Sequence, residues 1–384
     1  EVVNGDSVAV PRKFVSNRNY LVTFFGRLNY SFNDKYLLTV SFRDDASSRF
    51  SEDNRWKIFP AAAVGWNIGK ESFLSPVKAI TNLKLRASYG VTGNQDVTNI
   101  PYPYLSTYQL SSSTSQYQFG NTFYNTFRPQ PYDADIRWET TTQWDVGIDF
   151  GLFNDRITGT VDFYKKETDD LINSIPVPAG SNFSNFLLTN VGSMVNQGYE
   201  ITINTIPVKK DKFEWNFGFN FTYNENEVTK LLKTEDPNYP GVQVGGIGLQ
   251  RFIQNIQVGY PVNTFLVLKQ VYTEGGVPVE GLYVDRSGLG GDVTANENNK
   301  FRYQKPQPDY LIGVNTRLAY SNWDLYLSGR ASIGNYVYNN IHTGANYSNF
   351  YYSTGYFNNL PRAVNETNFT ALQSFSDYYL ENAS

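Results

Sequence analysis

The sequence predicts an all-β protein, an antiparallel transmembrane β-barrel. Three observations support this fold class: polar and apolar residues alternate along many segments, long and short connections alternate between those segments, and aromatic residues make up 16% of the chain. The clearest segment is 214–224, where every second residue is aromatic: Trp215, Phe217, Phe219, Phe221 and Tyr223. A period of two puts these side chains on one face of a strand and polar residues on the other. In a membrane barrel the apolar face meets lipid and the polar face lines the lumen.

The composition excludes several classes of site. The 32 basic and 36 acidic residues leave a net charge of −4, so the chain offers no electrostatic surface for nucleic acid. It has no cysteine and a single histidine, His342, which excludes disulfides, thiolate metal sites and histidine clusters. No run of about 18 apolar residues is present, so no transmembrane helix is expected. We predict no enzyme activity, and we assign no catalytic residue, no cofactor and no metal site.

About twelve alternating segments form the predicted strands. In chain order they are 21–32, 36–43, 58–68, 83–91, 143–150, 156–163, 199–204, 214–224, 262–272, 281–285, 310–320 and 323–333, and 378–383 begins one more. The segments 262–272 and 281–285 alternate less clearly than the others. Each of the other ten segments contains apolar residues at alternating positions. In segment 214–224 these are the aromatic residues named above. In the other nine segments they include, in chain order, Phe24 and Leu28; Leu38 and Val40; Val64 and Trp66; Leu85 and Tyr89; Val146 and Ile148; Val161 and Phe163; Tyr199 and Ile201; Ile312 and Val314; and Leu325 and Leu327. The side chains predicted to face lipid include Trp144, Ile148, Trp215, Phe217, Phe219, Phe221, Leu325 and Leu327.

The connections between these strands differ in length. Short turns are expected at 33–35, 153–155, 209–212 and 321–322, and long connections at 93–136, 173–196, 230–258 and 335–376. Outer-membrane barrels have short turns at the periplasmic end and long loops at the extracellular end. A soluble β-sandwich or propeller, which is the alternative fold, has no reason to sort its connections in this way.

Several segments resemble the SusC/RagA-like TonB-dependent transporters. They are spread along nearly the whole chain in the order found in that family: 30–43 with 47–50, Phe59-Pro60 with Gly65-Trp66, 83–90 with 92–94, 137–140, 190–192 with Asn196, Gly198 and Glu200, and 378–383. The resemblance implies a 22-stranded barrel with a plugged lumen, of which residues 1–384 would form part. The plug domain and the first and last strands would lie outside this chain.

The same resemblance implies a function and partners. It places the protein in the outer membrane of a Gram-negative bacterium, in contact with the lipid bilayer, with a SusD-like surface lipoprotein as partner and with TonB acting through the missing N-terminal region. The expected activity is TonB-dependent active import of a large nutrient, with an oligosaccharide favoured over a peptide. A soluble carbohydrate-binding β-protein and a passive porin are the alternatives. Extraction only by detergent would exclude the first of these, and an N-terminal plug would exclude the second.

Charged residues on the polar faces of the strands have two interpretations. The arginines are Arg27, Arg43, Arg86, Arg156, Arg317 and Arg330, and the carboxylates Asp145, Asp149 and Asp162 belong to one hairpin. They could contact a substrate, or they could be paired charges of a polar lumen. We favour pairing, with the carboxylates bridging to the arginines and taking no part in acid–base chemistry.

A substrate-binding segment is expected in the last long connection. Residues 336–359 interleave aromatic and amide side chains, which suits the apolar faces and the hydroxyls of sugar rings. The candidate substrate-binding residues are Tyr347, Phe350, Tyr351, Tyr352 and Tyr356. Tyrosine gives rigid contact area at low entropy cost. The alternative is that these aromatics pack the loop on itself or on a partner protein.

Overall fold

A computed structural model of the chain describes residues 18–384 apart from 97–99, 113, 178–179, 181, 248–251, 287–296, 345, 348–358 and 372–374. It also describes two short strands near the start, Val2–Val3 and Asp6–Ser7, which pair with each other.

Ten long strands form one antiparallel sheet, which we call the wall. In chain order they are β1 (Leu21–Phe32), β2 (Tyr36–Ser47), β3 (Trp56–Asn67), β4 (Ile80–Asn94), β5 (Glu139–Leu152), β6 (Ile157–Pro176), β7 (Phe186–Lys210), β8 (Phe213–Lys230), β9 (Tyr310–Tyr320) and β10 (Trp323–Ile333). Each strand pairs with the next one in sequence, so the wall is an uninterrupted up-and-down meander. The predicted all-β antiparallel architecture is confirmed. The wall holds ten of the expected strands, because 262–272 and 281–285 lie elsewhere.

The two faces of the wall differ in chemistry. The cross-strand register places all eight side chains predicted to face lipid opposite to the face that carries Asp149 and Asp162. None of the eight is buried; Trp144, Leu325 and Leu327 each expose more than half of their surface. An apolar face that no other part of the described chain covers is suited to a lipid environment.

The connections at one end of the wall are turns of two to four residues, apart from 68–79. The turns are 33–35, 153–156, 211–212 and 321–322. Asn33 and Asp34 take left-handed backbone angles (φ +52° and +55°), which the two-residue turns that join twisted strands require. Lys35 N donates to Phe32 O at 3.0 Å and closes this turn. We call this the turn end.

Long connections all leave the opposite end, because every strand is antiparallel to its neighbours. They are 48–55, 95–138, 177–185, 231–309 and 334–379. The prediction that 93–136 and 335–376 lie on one side is therefore confirmed by the strand order. Two boundaries were wrong. Residues 173–196 are mostly strand, because β6 and β7 stay paired as far as Pro176 and Phe186, and the connection after β8 runs to residue 309 instead of 258.

The connection 231–309 folds into a separate layer together with the end of the chain. One sheet has four strands: Val242–Gly246, Phe252–Ile256, Thr264–Val267 and Phe301–Arg302. A hairpin pairs Gln270–Tyr272 with Pro278–Tyr283. The final strand, Leu380–Asn382, pairs with Tyr336–Tyr338. Its core is the buried side chains of Ile253, Phe265, Val267 and Phe375. We call this layer, residues 242–309 with 336–338 and 375–382, the loop module.

Other elements are short. Two α-helices span Asn340–Thr343 and Val364–Thr367, and single 3-10 turns span Glu52–Asn54, Ile68–Lys70, Glu297–Asn299 and Asp377–Tyr379. In the part of the chain that is described, no helix has the length and apolar character needed to cross a membrane. The connection 95–138 contains a further hairpin, built from Tyr108–Leu110 with Phe127–Pro129 and from Gln116–Phe119 with Thr122–Asn125.

Candidate functional site

A cluster of charges occupies the polar face of the wall. The Arg86 guanidinium on β4 lies 2.9 Å from Asp149 Oδ1, 2.7 Å from Asp162 Oδ1 and 3.7 Å from Asp145 Oδ1. The three aspartates come from β5 and β6, so the cluster ties three neighbouring strands together. The predicted pairing of these carboxylates with an arginine is confirmed.

A glycine makes room for this cluster. Gly147 lies opposite both Arg86 and Asp162 in the sheet. A Cβ atom at Gly147 would lie 2.0 Å from Asp162 Oδ1 and 2.9 Å from Arg86 Nη2, closer than atoms can approach. The network therefore requires a residue without a side chain at position 147. This geometry indicates that the cluster links the strands structurally.

Parts of several segments that resemble the SusC/RagA-like family meet at the loop end of the wall: 47–50, 59–60, 92–94, 137–140 and 190–192. Phe50, Phe59, Ile136 and Trp138 form a buried group that we call the rim cluster. The Trp138 ring lies 5.3 Å from that of Phe50 and 5.4 Å from that of Phe59, between ring centroids. Its indole N–H donates to Arg55 O at 3.0 Å. Gly93 packs against this group, since a Cβ there would lie 2.1 Å from Phe59 Cζ.

Polar contacts of Asn190 and Glu139 join further parts of these segments to the rim cluster. Asn190 on β7 accepts from Arg137 N at 2.8 Å and donates to Arg137 O at 2.8 Å, so it mimics a backbone pairing. The Glu139 carboxylate accepts from Asn94 Nδ2 at 3.0 Å and from Ile172 N at 2.9 Å. Residues far apart in sequence thus hold the loop ends of β2 to β7 in place. These segments have a structural role and position the loops.

An aromatic hairpin, which sequence reasoning missed, extends from the loop end. In the hairpin at 108–129, Tyr117 lies directly opposite Tyr124, and Phe119 follows on the same face. Tyr117, Phe119 and Phe127 are 62%, 70% and 69% exposed. Gln116 Nε2 donates to Asn125 Oδ1 at 2.7 Å on the other face. The alternation of glutamine and aromatic residues along 116–119, followed by Gly120-Asn121, was the signal that could have revealed it.

The substrate-binding residues expected from the sequence lie mostly outside the described residues. This applies to Phe350, Tyr351, Tyr352 and Tyr356. Tyr347 is described; its ring is 42% exposed and its backbone N donates to Phe369 O at 2.9 Å. Its neighbours Asn346 and Phe369 are buried, so at least the start of the segment packs on the end of the chain.

The family of the chain follows from comparison with known proteins. A family described as TonB dependent receptor-like, beta-barrel, matches residues 3–339. The chain belongs to the TonB-dependent receptors. It is therefore part of an outer-membrane β-barrel of a Gram-negative bacterium, in a family of receptors that are not enzymes. The alternative of a soluble carbohydrate-binding protein is excluded by this membership.

Two curated relatives show which TonB-dependent receptors the chain resembles. The TonB-dependent receptor SusC of Bacteroides thetaiotaomicron is 42% identical over 379 residues, which cover 96% of this chain and 37% of SusC. The TonB-dependent receptor P3 of Formosa agariphila is 33% identical over 353 residues, covering 88% of this chain and 34% of P3. The chain thus spans about a third of the length of these relatives, and the resemblance to SusC-like proteins is confirmed.

Solved structures confirm the fold. The RagAB peptide transporter matches with a TM-score of 0.71 and 24% identity, over 95% of this chain and 40% of the other. The RagAB peptide importer in its open-open state matches with a TM-score of 0.74 and 23% identity, over 95% and 39%. The wall is therefore a section of a β-barrel of this fold, and its polar face is the lumenal face.

Proposed function

We propose that the full-length protein imports a large nutrient, an oligosaccharide in preference to a peptide, across the outer membrane by a TonB-dependent mechanism. Membership of the TonB-dependent receptors and the 42% identity to SusC support active import over passive diffusion. In this proposal the plug domain, the TonB-contacting region and the first and last strands lie outside residues 1–384.

One observation carries the choice of ligand. The loop end presents exposed aromatic side chains on the hairpin, with Tyr117, Phe119 and Tyr124 on one face and Phe123 opposite Gln118 on the other. Flat aromatic faces cover the C–H patches of sugar rings, and amides hydrogen-bond to hydroxyl groups. The sequence of the connection 334–379 contains Tyr347, Phe350, Tyr351, Tyr352 and Tyr356, which we propose as a second part of this surface.

A SusD-like surface lipoprotein is the proposed partner at the same end. The position of the three longest connections supports it, because 95–138, 231–309 and 334–379 all leave the same end of the wall. Such a set of loops offers a broad platform for a second protein. Co-purification of a lipoprotein with the full-length transporter would be the direct sign of this contact.

A peptide is the second candidate ligand. The likeness to the RagAB peptide transporter favours it, although the identity of 24% establishes only the fold. Aromatic and amide side chains also suit an extended peptide. Uptake of labelled oligosaccharide and of labelled peptide in the same cells separates the two.

The experiment is uptake of a labelled oligosaccharide by cells that carry the full-length gene, with and without TonB. Loss of uptake without TonB is expected, whereas a passive porin would continue to conduct. The variants Tyr117→Ala with Phe119→Ala, and Tyr351→Ala with Tyr352→Ala, should each reduce uptake. Phe73→Ala is the matched control, because Phe73 is 62% exposed but lies at the turn end. If uptake and lipoprotein binding are both unchanged in these variants, the aromatic segments do not belong to the substrate-binding surface.

A further inference from the structure

A cavity lies where β8 passes from the wall into the loop module. Its volume is about 490 Å³, and its lining includes Tyr260, Thr264, Arg302, Lys305 and Asp309. The backbone of β8 reaches both sides of it, since Asn224 N donates to Asp309 O at 3.3 Å and Val228 N donates to Tyr260 O at 3.0 Å. Two backbone hydrogen bonds thus attach the lining to β8 at the loop end.

Arg302 in this cavity has no acidic partner among the residues that the structure describes. Its guanidinium carbon lies 4.0 Å above the centre of the Tyr260 ring, and its Nη2 donates to Gln257 Oε1. Among the described residues, no carboxylate pairs with Arg302, and its buried Nη1 has no acceptor. A buried charged donor without an acceptor destabilises the folded protein unless something else supplies one.

The surrounding charges leave this arginine uncompensated. Burial lowers the pKa of Arg302, Tyr260 partly opposes this shift, and the positive charge of Arg286 adds to it. The one carboxylate in the lining, Asp309, is neutralised by Lys305, whose Nζ lies 2.7 Å from Asp309 Oδ1. The lining as a whole therefore carries a net positive charge.

We propose that this cavity binds an oxyanion, a carboxylate or phosphate group of a ligand, through the Arg302 guanidinium. A planar guanidinium is suited to carboxylates and phosphates because it presents several N–H donors in a fixed plane. Stacking on Tyr260 and the bond to Gln257 fix that plane before the ligand arrives. The oxyanion could belong to an acidic sugar or peptide, in which case the inference refines the substrate class of the proposed import, or to the headgroup of a membrane lipid.

The test uses the full-length protein in a neutral detergent and compares two trisaccharides that differ only in charge. Tri-galacturonate carries carboxylates, and its fully methyl-esterified form does not. Calorimetric titration should show about tenfold tighter binding of the acidic form. Arg302→Gln should remove this preference and leave the affinity for the ester unchanged, and Arg302→Lys should keep part of it because the charge remains while the planar donors are lost.

Two controls keep the result interpretable. Arg362→Gln removes one positive charge from an exposed side chain of the connection 334–379 at the same end of the wall and should leave the preference intact. Equal thermal unfolding temperatures of the Arg302 variants and the wild type show that the cavity has not simply unfolded. If the unfolding temperatures differ, the wild-type protein is tested instead, by measuring whether inorganic phosphate competes with tri-galacturonate for binding. An absence of competition overturns the inference.

The source of the oxyanion is separated by a second probe, dihexanoyl phosphatidylglycerol. Binding of this lipid that depends on Arg302, without a preference for tri-galacturonate, assigns the site to a headgroup. No Arg302-dependent binding of either anion overturns the inference. Equal binding of the acidic and esterified trisaccharides, with no lipid binding, also overturns it but leaves the proposed glycan import intact.

Discussion

The wall and the loop module use the same apolar residue types in opposite ways. In the wall, Leu325 is 51% exposed and Phe163 is 38% exposed on a face that nothing in the described chain covers. In the loop module, Val267 is fully buried and Phe265 is 2% exposed. The difference follows from the solvent, because lipid accepts apolar side chains whereas water drives them into a core. One chain thus contains a region folded for the bilayer beside a region folded for water.

The largest expected effect comes from the core of the loop module. Phe265→Ala should cost about 3–5 kcal/mol in the free energy of unfolding of this module, because a buried ring is replaced by a cavity. Limited proteolysis at the loop end should become faster, while the heat-modifiable migration of the barrel on gels stays as in the wild type. Ile341→Ala, at a side chain that is 74% exposed, is the control. Simultaneous loss of the barrel would show that the two regions are one unit.

The second effect tests the lipid face of the wall. Phe219→Arg should destabilise the barrel by roughly 2–4 kcal/mol near the bilayer midplane, because the charge would enter hydrocarbon. Asn220→Arg is the matched control, since Asn220 is the next residue on the same strand and points to the lumenal face. Thermal unfolding in detergent or lipid measures both. Equal effects at the two positions would contradict the assignment of the faces.

A smaller effect is expected on the lumenal face. Arg86→Gln leaves Asp145, Asp149 and Asp162 without their shared cation and should cost about 1.5–3 kcal/mol, the range for hydrogen bonds to charged groups. Arg317→Gln breaks an exposed pair with Asp324, which water screens, and should have a smaller effect. The ratio of the two changes in unfolding temperature checks whether the Arg86 cluster ties the strands together. Equal destabilisation by Arg86→Gln and Arg317→Gln would show that the Arg86 cluster stabilises the barrel no more than an exposed ion pair does.

The smallest effect concerns the turn end and depends on pH. Glu71 accepts hydrogen bonds from Lys35 Nζ, Trp66 Nε1 and Tyr36 OH at 2.9, 3.1 and 2.9 Å, and these lower its pKa to about 2 from 4.5. Since the pKa is lower in the folded state, the stabilisation is complete above about pH 4.5 and disappears as the pH falls towards 2. Wild type and Glu71→Gln should therefore differ in unfolding temperature at pH 7 and converge at pH 2–3. A difference that persists at low pH would contradict the ionic origin.

The wall could be predicted from the sequence because its rules are local. The alternation of Trp215, Phe217, Phe219 and Phe221 fixes a strand and its face, and Asn33-Asp34 fixes a turn. The halves of β6 and β7 nearest the loop end were not predicted, for a physical reason. Beyond Lys165, polar residues such as Lys166, Glu167 and Asp169 occupy successive positions, so the period of two that lipid imposes is lost.

The loop module could not be predicted because its contacts join residues that are distant in sequence. Leu268 pairs with Ser376, and Asp377 accepts from Gln270 N at 2.7 Å and from Tyr303 OH at 2.9 Å. The sequence pattern around 262–272 shows a weak strand and nothing about these partners. The aspartates that surround Arg86 were named from the sequence, but the absence of an acidic partner for Arg302 becomes visible only in three dimensions.

The neighbour-to-neighbour order of the wall has a consequence for folding kinetics. Five hairpins are closed by the connections 33–35, 68–79, 153–156, 211–212 and 321–322, so each can form as a local unit. Contacts between neighbours in sequence form faster than distant ones. Only the junctions between hairpins require long loops to close, and each doubling of loop length adds only about 0.6 kcal/mol of closure entropy. The barrel can therefore grow one hairpin at a time, and an enlarged loop module would delay the pairing of β8 with β9 only slightly.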